Sequence, residues 1–135
     1  MAQNFFFLFP EGILHKRPNK LQDLDPEFLQ IIEEFLEKQE TTSKTNEFQK
    51  ASLTCFFYLY SLLCEKFVPL QIKVESEIPL GAGLGSSAAL SVCLAAGLYA
   101  TKYPKIEDSM LDEICKYAFI SEKILHGQPS GIGNL

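Results

Sequence analysis

Histidine occurs twice in these 135 residues, as His15 and His126, and none of the four cysteines sits in a C-x-x-C pair or beside a histidine at ligand spacing. That scarcity excludes a zinc-finger or thioredoxin-like reading and leaves Cys55, Cys64, Cys93 and Cys115 as expected small buried hydrophobes in a reducing compartment. Basic residues are outnumbered, 12 Lys and Arg against 17 Asp and Glu, for a net charge of −5. The one basic cluster, His15-Lys16-Arg17 with Lys20 near it, reads as a solvated turn, so no nucleic-acid partner is expected. N-x-[ST] sequons are absent, and Phe5-Phe6-Phe7-Leu8-Phe9 is too short, without a basic flank before it, for a signal peptide. No stretch reaches the ~20 apolar residues that a bilayer span needs, so the expectation is a cytoplasmic chain without membrane contact.

What the sequence has is one short stretch around which the rest is arranged. Leu70, Ile72 and Val74 alternate with Gln71, Lys73 and Glu75, the period expected of a strand with one wet face. Then comes Ile78-Pro79-Leu80-Gly81-Ala82-Gly83-Leu84-Gly85-Ser86-Ser87-Ala88-Ala89-Leu90, a glycine-rich turn opening into an apolar helix. Alternate glycines let a backbone approach an anion closely, and free N–H groups at a helix start point toward it. A Walker A loop requires lysine at its end, and none lies between Lys73 and Lys102; a dinucleotide fingerprint requires glycine where Ser86 stands. From the residues alone two readings stay open, a phosphate cradle and a structural strand-to-helix turn whose serines cap the helix.

Around this stretch the chain reads as helices. Asp25-Pro26-Glu27 is a strong helix start, followed by apolar Phe28, Leu29, Ile32, Phe35 and Leu36 at three- and four-residue spacing. Residues 39 to 46 are polar and read as loop, and from Glu47 to Cys64 the pattern is again helical. Residues 1 to 24 read as one short strand followed by loop. The helix from Ser86 to about Lys102 is apolar on every face and is expected to be buried centrally. Ser109 and Asp112 approximate a capping box ahead of a last helix on which Leu111, Cys115, Ala118 and Glu122 share one face. His126-Gly127 followed by Pro129 makes an ordinary helix stop.

Pro79 through Ala89 resembles the second signature of the GHMP kinase family, small-molecule kinases in which this loop holds the ATP phosphates. Glu122 and His126-Gly127-Gln128-Pro129-Ser130-Gly131-Ile132 resemble the mevalonate kinase branch of that family. The two motifs, with the helix between them, cover about the second half of the chain. The resemblance implies an α+β fold, a few strands packed with about four helices around a strand, glycine loop and helix. It implies ATP and Mg²⁺ as cofactors, with Gly81, Ala82, Gly83, Leu84, Gly85, Ser86 and Ser87 around the phosphates and Ser87 with Glu122 on the metal. It also implies mevalonate as the phosphoryl acceptor, in isoprenoid and sterol biosynthesis, and is compatible with a homodimer.

The pattern then departs. The family continues Pro-Ser-Gly-(Ile/Val)-Asp-Asn, whereas this chain has Gly133 at the aspartate position, so the candidate catalytic base is missing. The family's first signature, with an active-site lysine, and its third, a closing glycine-rich loop, are not found in these residues. The expectation is therefore a single partial domain over residues 1–135, a splice product, fragment or truncated gene model, inactive by itself. Two alternatives stand beside it: a non-catalytic isoform that binds nucleotide or a partner subunit, and another small-molecule kinase of the same family.

Overall fold

The computed structural model describes residues 11–18, 23–39, 47–64 and 86–126. The chain order is α1 (Glu11–Leu14), α2 (Pro26–Glu37), α3 (Glu47–Leu63), α4 (Ser86–Lys102), a 3-10 turn (Asp108–Met110) and α5 (Leu111–Leu125). Every regular element among the described residues is helical and none is a strand, which corrects the expected α+β class. The correction has a clear origin. The described segments carry apolar residues at helical spacing; the strand read over residues 70–75 lies outside the described residues, and the stretch 1–24, read as one short strand followed by loop, is helical at Glu11–Leu14 in its described part.

The start of α2 is the one the sequence predicts. The Asp25 side chain accepts hydrogen bonds from the backbone N–H groups of Glu27 at 2.9 Å and Phe28 at 3.2 Å, and Pro26 occupies the first turn where no N–H is needed. The spacing then turns Phe28, Ile32, Phe35 and Leu36 inward, all buried. They meet α3 edge to face, with ring centroids 5.3 Å apart for Phe28–Tyr58 and 5.6 Å for Phe35–Phe57. Such pairs add to the burial of the rings, each worth ~1.5–3 kcal/mol as buried apolar surface.

Helix α3 is the centre of the core, packed against α2, α4 and α5. Cys55, Phe57, Tyr58, Leu59, Tyr60 and Leu63 are all buried on it. The polar residues it buries satisfy themselves locally: Thr54 donates to the Lys50 carbonyl and Ser61 to the Phe57 carbonyl, each at 2.8 Å.

Helices α4 and α5 depart from expectation in informative ways. Helix α4 is not buried all round: Ser91, Leu94, Ala95, Leu98 and Tyr99 face the core, while Ala89, Val92, Cys93, Gly97 and Ala100 are exposed. An apolar composition without periodicity cannot say which face is covered. Consequently Cys55 and Cys64 are buried as expected, but Cys93 and Cys115 are exposed. No capping box forms at Ser109; the 3-10 turn leads into α5, whose first-turn boundary residue Met110 offers no side-chain cap. The buried face of α5 is Ile114, Tyr117, Ala118, Ile120, Ser121 and Ile124, so Leu111 and Cys115 do not continue the stripe that Ala118 belongs to.

Candidate functional site

Helices α4 and α5 form an antiparallel hairpin whose register is read from Tyr99. Its phenol donates to Glu113 Oε2 at 2.9 Å, and its ring lies 6.3 Å from that of Tyr117, one turn further along α5. Tyr99 is thus level with the first half of α5. An antiparallel partner then carries the start of α4, Ser86 and Ser87, to the end where α5 finishes, the end that bears Glu122. With a rise of 1.5 Å per residue and Tyr99 level with Glu113, Ser87 lies about 4.5 Å along the axis beyond Glu122.

Helix α4 begins at Ser86, so the first-turn N–H groups of a helix 17 residues long stand at this end. The expected loop residues Gly81, Ala82, Gly83, Leu84 and Gly85 lie outside the described residues, as does Gly133. Glu122 sits in the last turn of α5, half-buried, and its carboxylate has no hydrogen-bond or ion-pair partner among the described residues. Its backbone carbonyl accepts the N–H of His126 at 2.9 Å, which ends the helix where the sequence suggested.

The chemistry of Glu122 fits a hard divalent cation: an oxygen donor reached by solvent, without a partner among the described residues, at the end of the hairpin where α4 starts. Magnesium is commonly held by one or two carboxylates together with substrate phosphates, not by an all-protein cage. Among the described residues no group of three or more His, Cys, Asp or Glu is placed to hold a metal ion, and no helix is long and apolar enough to cross a membrane.

The position of this end is fixed by contacts that sequence reasoning passed over. Lys123, beside Glu122, pairs with Asp23 just ahead of α2, and its ammonium lies 4.8 Å from the centre of the Phe119 ring. The Lys123 hydrogen bond holds the Asp23 carboxyl below its ordinary range. Burial, reinforced by the bond to Glu113, pushes the Tyr99 phenol up to about 12. No sequence signal announces pairs so far apart in the chain.

The sequence profile of the GHMP kinases N terminal domain matches residues 52–135, and the chain belongs to that family. Its relatives there are mevalonate kinases. It is 36% identical over 141 residues to the mevalonate kinase of Homo sapiens, covering 85% of this chain and 35% of that one. It is also 36% identical over 108 residues to that of Arabidopsis thaliana, covering 73% and 28%, and 42% identical over 99 residues to that of Bos taurus, covering 62% and 25%. The chain therefore spans about a third or less of the length of these relatives. No solved structure matches it.

Proposed function

We propose that the chain is the phosphate-loop segment of a mevalonate kinase-type phosphotransferase, one partial domain over residues 1–135 that takes part in binding Mg-ATP. The observation that carries this reading is the antiparallel pairing of α4 and α5, which sets the start of α4 and Glu122 at one end of the hairpin. Gly81 through Ser87 would hold the phosphates through backbone N–H groups, helped by the helix dipole. Ser87 and Glu122 would hold Mg²⁺, which neutralises charge on the transferring phosphoryl group. Mevalonate as acceptor is supported by the names of the relatives. Gly133 offers no side chain for the proton transfer that a positioned base supplies, typically worth ~10²–10⁴-fold, so binding rather than turnover is the property to measure.

Calorimetry with Mg-ATP on the wild-type chain and on Gly83→Val tests the reading. Heat of binding in the first and its loss in the second, with far-ultraviolet dichroism unchanged, is the expected result. Indistinguishable titrations would remove the loop from the site.

A further inference from the structure

Two hydroxyls in the α3–α4–α5 junction are fully enclosed and make no hydrogen bond among the described residues: Ser91 Oγ on α4 and Ser121 Oγ on α5, both 0% exposed. The usual local remedy is the carbonyl four residues back, which Thr54 and Ser61 take on α3. Neither Ser91 nor Ser121 takes it. A buried hydroxyl without a partner forfeits its hydration, a cost of ~1–3 kcal/mol, so two in one junction call for a shared explanation.

Their levels supply it. Ser91 lies eight residues before Tyr99 and Ser121 eight residues after Glu113. The antiparallel register that joins Tyr99 to Glu113 therefore brings the two serines to one level, about 12 Å nearer the start of α4. At that level Cys55 of α3 donates its Sγ–H to the Ser121 carbonyl at 3.4 Å, so a third helix closes the junction. A polar site needs about two to four partners to retain an internal water, and this one offers two hydroxyls, each able to donate and accept, beside the Cys55 sulfur.

We propose that Ser91 and Ser121 jointly hold one internal water molecule that bridges α4 to α5. Ser121 immediately precedes Glu122, so the bridge fixes the height and rotation of the Glu122 turn against the start of α4. Ser91 and Ser121 are in this sense positioning residues. That consequence rests on the metal–nucleotide reading above; the water itself does not.

The sign of a stability change separates the bridge from two orphaned hydroxyls. If both are bridged, Ser91→Ala and Ser121→Ala each lower the urea midpoint, and the double variant lies no lower than the worse single, because the second loss removes a partner already without its water. A raised midpoint in either single variant, or strictly additive losses, would overturn the bridge. In the wild-type chain, a water cross-peak to the Ser121 amide in a rotating-frame experiment is expected, and its absence after full assignment contradicts the proposal without any variant. For positioning, Ser121→Ala should weaken Mg-ATP binding by about 10-fold, the lower range for loss of a residue behind a metal ligand, with metal-free ATP binding unmoved. Equal affinity for Mg-ATP overturns that role. A wild-type chain that binds no Mg-ATP overturns the functional reading and the positioning role together, while the midpoint cycle still decides the water.

Discussion

The phenolic oxygen of Tyr58 accepts the backbone N–H of Asp25 at 2.9 Å, tying the middle of α3 to the residue that caps α2. The same tyrosine ring packs against Phe28 in the first turn of that helix. Cap, first turn and core are thereby one unit. Tyr58→Phe keeps the ring and strands the Asp25 N–H, so a loss of ~1–3 kcal/mol is expected. A urea-unfolding curve measures it, and an unchanged midpoint would show that water satisfies the Asp25 amide equally well.

Cysteine accessibility divides in two. Cys93 and Cys115 are exposed and should react promptly with an aromatic disulfide reagent in the folded chain. Cys55 and Cys64 are buried, and burial pushes the Cys55 thiol up to about 12, so both should react only as fast as the chain opens. Prompt release equivalent to two thiols is expected, with four after denaturation. Four prompt thiols would contradict the packing of α3.

The alkaline limb of stability should be governed by tyrosines. Burial raises the Tyr99 and Tyr117 phenols from 10.0 to about 12 and raises Tyr58 in the same direction. A group whose folded pKa lies above its unfolded one keeps its contribution below the unfolded value and loses it as pH rises through the folded value. Stability should therefore decline between pH 10 and about 12, with tyrosinate absorbance in the folded chain lagging behind that of the unfolded chain. Coincident titration curves would contradict the burial of these rings.

The parts of this molecule that local chemistry dictates are legible in its sequence. Asp25-Pro26 announces α2, apolar spacing announces α3, and the paired serines at its start with Pro104 after its end bound the apolar run of α4. The glycine run followed by paired serines, with Glu122 and His126 downstream, carries the family that the profile match then shows. What stayed hidden depends on neighbours. The all-apolar surface of α4 gives no moment to orient it, so Val92 and Cys93 were expected inside and lie outside. On α5 the apparent stripe through Leu111 and Cys115 was a coincidence of composition; packing against α3 and α4 selects Ile114, Tyr117 and Ser121 instead. The strand expected over residues 70–75 lies outside the described residues, and of the stretch 1–24, expected as a short strand and loop, the described part holds the helical turn Glu11–Leu14. Ser91 and Ser121 carry no sequence mark at all, since only their enclosure makes them unusual.

The central claim is that Glu122, at the end of α5, works with the start of α4 through a divalent cation. Calorimetric titration of Glu122→Gln with ATP, in the presence and absence of Mg²⁺, tests it most directly, because glutamine keeps the size of the side chain and removes its charge. The account predicts that affinity for Mg-ATP falls by about tenfold or more, ~1.4 kcal/mol per decade, while metal-free ATP binds as it does to the wild type. Equal affinities of both proteins in Mg²⁺ would contradict it and return Glu122 to the role of a solvated helix end.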